Sequence, residues 1–199
     1  MLRRTLFAAV AAITLSTLAA PRTAGAQPPT WRIDASHSEL TFRIRHYVTK
    51  VRGTFAKWEG SITADPKSLN QGSVQVTIDA RSIDTNNERR DQDLRSDNFF
   101  ATDSFPTLTF KSSKVEVSGS DLKVHGDLTI RGVTKPVVLA GSFSGTTKDA
   151  QGRERIGFEA STKINRLDHK VTWNRAIEGG GLMLGDEVEI NITIEAVRQ

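Results

Sequence analysis

Cysteine is absent from the 199 residues. That excludes disulfides, thiolate metal sites, thiol nucleophiles and a lipid-modified N-terminal cysteine. Common catalytic signatures are missing too. There is no Walker phosphate loop and no paired-histidine zinc helix. Gly141-Ser142-Phe143-Ser144-Gly145 carries Phe where a G-x-S-x-G elbow needs its nucleophile. Gly179-Gly180-Gly181 with Gly185 falls short of a dinucleotide fingerprint, because it precedes a strand pattern and not a helix. A hairpin loop is the simpler reading. Excess charge is also lacking. Three of the 27 basic residues, Arg3, Arg4 and Arg22, fall in the first 26 positions, which hold no acid. The other 173 residues hold 24 basic side chains against 23 acidic ones, a balance that speaks against a nucleic-acid partner.

What is present begins with a leader. Met1-Leu2-Arg3-Arg4 is a positive start, Leu6 to Ala20 is mostly apolar, and Ala24-Gly25-Ala26 offers a small-x-small cleavage site before Gln27. The apolar stretch is shorter than the roughly 18–20 residues of a membrane-spanning helix. Residues 1–26 therefore read as a signal peptide, with Sec and twin-arginine export both open. Residues 27–199 read as one domain, exported to the periplasm or secreted.

The period along that domain is two. Leu40, Phe42 and Ile44 alternate with Thr41, Arg43 and Arg45. Val74, Val76 and Ile78 repeat the pattern, and Val188, Ile190, Ile192 and Ile194 alternate with Glu189, Asn191 and Thr193. Such alternation marks antiparallel strands with one face in a core and one in water. Turn signals at Asp65-Pro66, Asn70-Gln71-Gly72, Arg131-Gly132 and Asp149 to Gly152 separate about eight strands. Eight strands over 173 residues are long for a sandwich, and closing them removes exposed edges. The expectation is an all-β, extended antiparallel eight-stranded barrel. Parity puts Leu40, Phe42, Ile44, His46, Val74, Val76, Ile78, Phe110, Leu128, Ile130, Phe158, Ile190 and Ile192 toward its lumen.

One stretch breaks the pattern. Thr85-Asn86-Asn87-Glu88 fits a capping box, and Arg89 to Asp97 then reads as a short polar helix inserted between strands. So polar a helix is unstable alone, so Leu94, Phe99 and Phe100 are expected to dock it on the barrel, as gate or core plug. Adjacent strand-like residues point oppositely, so only one of the two rings is expected to face the lumen. Most charges in this stretch read as a solvated helix face, with Arg90 and Arg95 as candidates for a polar head group. Asp34, His37, Glu39 and His46 supply an alternative, a histidine- or metal-dependent hydrolase. No compact spacing completes a zinc site, and no catalytic residue, metal or cofactor is assigned.

Taken together, the motifs resemble the YceI-like family. Trp31-Arg32-Ile33-Asp34-Ala35-Ser36-His37-Ser38 with Phe42 and Arg45-His46 is similar to its opening. Gly53-Thr54-Phe55, Ile78 to Thr85, Arg90-Asp91, Leu94-Arg95-Ser96, Phe99-Phe100 and Phe105-Pro106 follow suit, as does the hairpin Gly126 to Thr134. One departure is Asp168-His169-Lys170, where the family often has Phe-Gly after the Asp. The resemblance implies a lipocalin-like barrel that binds a long-chain isoprenoid, of the polyprenyl pyrophosphate or quinone type, as carrier or sequestering protein and not as an enzyme. Such a carrier has transient membrane contact among its expected partners.

Overall fold

The computed structural model describes residues 27–199. The leader expected over residues 1–26 lies outside the described residues. The strands are β1 (Thr30–Ile33), β2 (Glu39–His46), β3 (Thr49–Phe55), β4 (Trp58–Thr63), β5 (Ser73–Asp79), β6 (Ile83–Asp84), β7 (Thr107–Ser118), β8 (Asp121–Ile130), β9 (Val133–Lys148), β10 (Glu154–Asn165) and β11 (Leu184–Arg198). The described α-helix is α1 (Glu88–Arg95), between β6 and β7.

Eleven segments build eight staves, because three staves are interrupted. β1 and β2 lie end to end along β11, with Ile33 opposite Ala196 and Glu39 opposite Thr193. β3 and β4 form the next stave, and β5 with β6 the third. β7 to β11 follow singly, and β1 pairs with both β4 and β11, which closes an eight-stranded antiparallel barrel. Stave follows stave in chain order, an up-and-down arrangement with no sheet edge left at the seam.

Local chemistry explains the breaks. Asp34 accepts from the Ser36 N–H and starts a 3-10 turn over Ala35–His37, and Asp79 accepts from Arg81 N–H to start another over Ala80–Ser82. At Arg131 and Gly132 the backbone is left-handed, with φ of 50° and 70°, which suits a two-residue hairpin turn. Two strand glycines make room for aromatic rings. A Cβ at Gly53 would lie 2.3 Å from the Phe42 ring, and one at Gly126 would lie 2.5 Å from the ring of Phe110. Each ring lies over a bare backbone, which lets the wall curve.

The apolar interior forms two clusters. The larger gathers Phe55, Ile78, Ile83, Phe99, Leu108, Phe110, Leu128 and Ile130 toward the α1 end. The smaller holds Trp31, Ile33, Ile62, Ile156 and Ala196 at the opposite end, by the seam. Outward positions of β11 are Glu187, Glu189, Asn191, Thr193 and Glu195. A wall so polar does not suit a lipid-facing barrel surface. Among the described residues, no helix is long and apolar enough to cross a membrane.

The helix ends at Arg95, two residues before the expected Asp97, and its cap is not the one the capping box suggests. Asn87 is the N-cap, its side-chain oxygen accepting from the Arg90 N–H at 3.0 Å. Thr85 is buried instead, and buried Asp91 reaches back to accept from its N–H and its hydroxyl. Asn86, with φ of 58°, turns the chain between them, so the cap shifts two residues on.

Candidate functional site

A cavity of about 920 Å³ runs through the barrel. That lies near the top of the roughly 300–1,000 Å³ range of ligand pockets. Its walls are apolar nearly throughout. The side chains expected there from parity, Leu40, Phe42, Ile44 and His46 on β2, Val74, Val76 and Ile78 on β5, Phe110, Leu128, Ile130, Phe158, Ile190 and Ile192, all line it. Sequence parity missed others. Val188 and Ile194 share the face of Ile190 and were available from the same alternation. Val115 was not, because a bulge between Ser112 and Lys114 switches the inward parity of β7. Trp173 and Met183 come from the loop between β10 and β11, which has no period to read.

Polar groups collect at one end of the cavity. His46, Thr85, Asn87, Arg89, Arg90 and Asp93 line it there, beside the β2–β3 hairpin and α1. Arg90 donates from Nε to the Thr85 hydroxyl at 2.7 Å and from Nη2 to the Thr85 carbonyl at 2.8 Å. That fixes its guanidinium at the rim. Arg95 does not reach the cavity. It is occupied as a strap, donating to the carbonyls of Arg81 and Ile83 and to Glu88. The reason is helical spacing: Arg89, Arg90, Asp93 and Leu94 fall on one face, and Arg95 is turned about 100° from Leu94. Arg89, not singled out from the sequence, takes the place at the rim.

Leu94, Phe99 and Phe100 all line the cavity. Phe99 is buried against Trp173, ring centroids 5.3 Å apart, and half-buried Phe100 meets Phe55 edge-on at 5.9 Å. Both rings face inward, contrary to the strand-based expectation of one. Residues 97–100 form turns, so strand alternation does not apply to them.

The departure at Asp168-His169-Lys170 is tightly built. Arg166, buried at 4% exposure, donates to the carbonyls of Val171, Trp173 and Gly185 and pairs with Asp186. Burial pushes its guanidinium below the ordinary value, and Asp186 opposes that shift. His169 is almost fully buried, its Nδ1 3.0 Å from the Val133 carbonyl oxygen, and its ring lines the cavity. Lys170 holds φ of 60°, the left-handed conformation that glycine adopts freely.

The quartet behind the hydrolase alternative does not converge. His46 faces the lumen near the α1 end, while Glu39, seven residues up the strand and some 23 Å away at about 3.3 Å per residue, pairs outside with Arg52. Asp34 and His37 do meet, Nδ1 to Oδ2 at 3.0 Å, and Glu195 stands with them at the seam. The cation there is Arg155, whose Nη1 bonds Asp34 at 3.0 Å and Glu195, while its Nε bonds Asp149 at 3.0 Å. The Ser36 and His37 side chains, with Arg155, hold Asp34 well below the usual carboxylate range despite partial burial. Burial pushes Asp149 up, but the Arg153 N–H and the Arg155 and Arg153 guanidiniums outweigh it and bring it to about 2. This is an ion network centred on Arg155 that fastens strands.

A closed antiparallel barrel with a long apolar cavity, rimmed by polar groups at one end, defines a lipocalin-like architecture. The YceI-like domain matches residues 31–196, and the chain belongs to that family. It is 38% identical over 167 residues to protein YceI of Salmonella newport, covering 83% of this chain and 84% of that one. The crystal structure of the Campylobacter jejuni YCEI protein is similar with a TM-score of 0.69, at 34% identity over 76% of this chain and 87% of that one. A polyisoprenoid binding domain from Saccharophagus degradans shares the fold, with a TM-score of 0.63 at 18% identity over 85% of this chain and 98% of that one.

Proposed function

We propose that this chain is an exported lipid-binding protein that holds a long-chain isoprenoid, of the polyprenyl pyrophosphate or quinone type, as carrier or sequestering protein. The observation that carries the reading is the apolar cavity of about 920 Å³, continuous from Ile33 and Ile62 near the seam to Leu94 and Phe100 under α1. A barrel filled by its own side chains would hold only isolated voids of about the size of a water molecule. The polyisoprenoid binding domain from Saccharophagus degradans, which shares this fold, supports the same ligand class. The leader at residues 1–26 supports export to the periplasm or beyond.

Energetics favour length over polar chemistry. Burying hydrocarbon yields roughly 0.8 kcal/mol per CH₂, so three isoprene units gross on the order of 12 kcal/mol. Association costs roughly 4–15 kcal/mol before any surplus remains. A short prenyl group is marginal, and a long one binds with few polar contacts. Arg90 and Arg89 at the rim are placed to meet a head group, phosphate or quinone carbonyl, with His46 just inside. No bond needs to be made or broken, so the function is binding and not catalysis.

Native mass spectrometry of gently purified mature protein tests this. The expected result is a co-purified isoprenoid. A barrel that is consistently empty and also ignores added polyprenols overturns it.

A further inference from the structure

Six large apolar side chains stand exposed among the described residues, and four gather at the α1 end of the barrel. Tyr47 and Val48 form the tip of the β2–β3 hairpin, at 44% and 96% exposure. Leu182 and Leu167 lie on the β10–β11 loop, at 45% and 39%. The first three are joined. Tyr47 N–H donates to the Met183 carbonyl at 2.8 Å, and the Arg45 guanidinium donates to the carbonyls of both Tyr47 and Leu182. Arg45 thus clamps two apolar tips side by side at the cavity rim, where neighbouring His46 and Met183 line the lumen.

Charge around this end is unlike that at the seam. At the seam Arg153, Arg155 and Arg198 each have a carboxylate partner. Around the rim Lys50, Arg95 and Arg166 are paired, whereas Arg45, Arg89, Arg90, Lys170 and Arg175 have no carboxylate within salt-bridge distance among the described residues. Asp168 and Glu178 on the same loop, Asp186 beside Arg45, and Asp93 and Asp97 around α1 are the nearby opposing charges, none of them in a salt bridge with those five cations. A protruding apolar tip flanked by Arg45 and Arg175, neither in a salt bridge, complements an anionic bilayer, whose surface is negative and whose interior is hydrocarbon.

We propose that the α1 end docks on an anionic lipid surface, with Tyr47, Val48 and Leu182 entering the acyl boundary and Arg45, Arg89 and Arg175 meeting phosphates. Docking sets the cavity mouth against the bilayer. A long apolar ligand then passes from membrane to lumen without crossing water. The transfer role rests on the isoprenoid reading, whereas the docking itself does not.

The test is co-sedimentation of mature protein with vesicles of phosphatidylglycerol and phosphatidylcholine, against vesicles of phosphatidylcholine alone. Binding is expected to the anionic vesicles and to weaken as salt is added. Val48→Ser should weaken it roughly tenfold, the loss for withdrawing one valine from hydrocarbon. Val138→Ser, at an exposed position on the barrel wall, should leave it unchanged, and both variants should keep the wild-type melting temperature. Failure of the wild type to bind anionic vesicles overturns the proposal. So does equal binding by Val48→Ser, or a finding that Val48 instead governs dimer formation with no vesicle binding. Vesicle binding by a barrel that native mass spectrometry finds empty would keep the docking and discard the isoprenoid reading. Isoprenoid in the lumen without vesicle binding would do the reverse.

Discussion

The two ends of the barrel solve different problems. At the seam Trp31 is 2% exposed and donates from Nε1 to the Ala64 carbonyl at 2.8 Å, while Arg155 ties Asp34, Asp149 and Glu195 across three elements. At the α1 end the closure is made by an insertion and a loop, through half-buried Leu94, Phe100, Trp173 and Met183. One end is sealed by fixed charges and a fully packed indole. The other is covered by side chains that can move apart without unpairing a strand. Stability and access are thereby assigned to opposite poles.

The largest expected effect strikes the apolar lumen toward the α1 end. Ile130→Asp should abolish ligand binding and leave little folded protein, because a buried unpaired charge is costly. Soluble yield and circular dichroism read it directly. Trp31→Ala breaks the seam end. It should cost about 3–5 kcal/mol in denaturant unfolding and leave the ligand release rate of the folded fraction near wild type.

At the α1 end the two phenylalanines should separate. Phe99→Ala, at a buried ring packed on Trp173, should cost about 3 kcal/mol. Phe100→Ala should cost less yet speed ligand release more. Measuring release rates beside denaturant midpoints for both variants decides it, and equal effects would erase the distinction between plug and gate.

Acid sharpens the comparison further. Asp34 and Asp149 have carboxyl groups depressed in the folded state, so their stabilisation is full above the unfolded value near 3.9 and is lost as pH falls through the folded ones. Melting temperature should fall from about pH 4 toward pH 2 through loss of the seam network. Arg155→Met should melt lower than wild type at pH 7, and the gap should narrow as the pH drops over that window. The smallest effect belongs to Lys170. Lys170→Gly relieves a left-handed backbone and should gain roughly 0.5–1 kcal/mol after the entropy of glycine is counted.

Much of this molecule was legible because its strands are regular. Parity alone oriented Leu40, Phe42 and Ile44, since β2 runs without a bulge and a period of two admits one inward face. Where a bulge intervenes, as at Ser112 in β7, the same logic cannot place Val115. The interrupted staves were illegible for a related reason: Asp34 and Asp79 each start a turn through one side-chain hydrogen bond, and nothing in the alternation announces it. At the rim, sequence named Arg90 with Arg95, but five positions put them about 140° apart around a helix, so they do not share the lumen face. Arg89, next to Arg90, lines the cavity where Arg95 was expected.

The seam has a consequence for how the chain becomes a barrel. β7 to β11 can form hairpin by hairpin, each pairing with the stave just before it. The closing contact, Trp31 opposite Arg198, joins residues 167 positions apart. Closure therefore waits until the whole chain is available to fold, which leaves an interval before the barrel is complete. Contacts this distant in sequence form slowly even when both halves are present. Through that interval β1 and β2 lack β11 as a partner, and the barrel is an open sheet. The brevity of β1, four residues broken from β2 by a turn, gives that waiting stave little length along which a wrong chain could align.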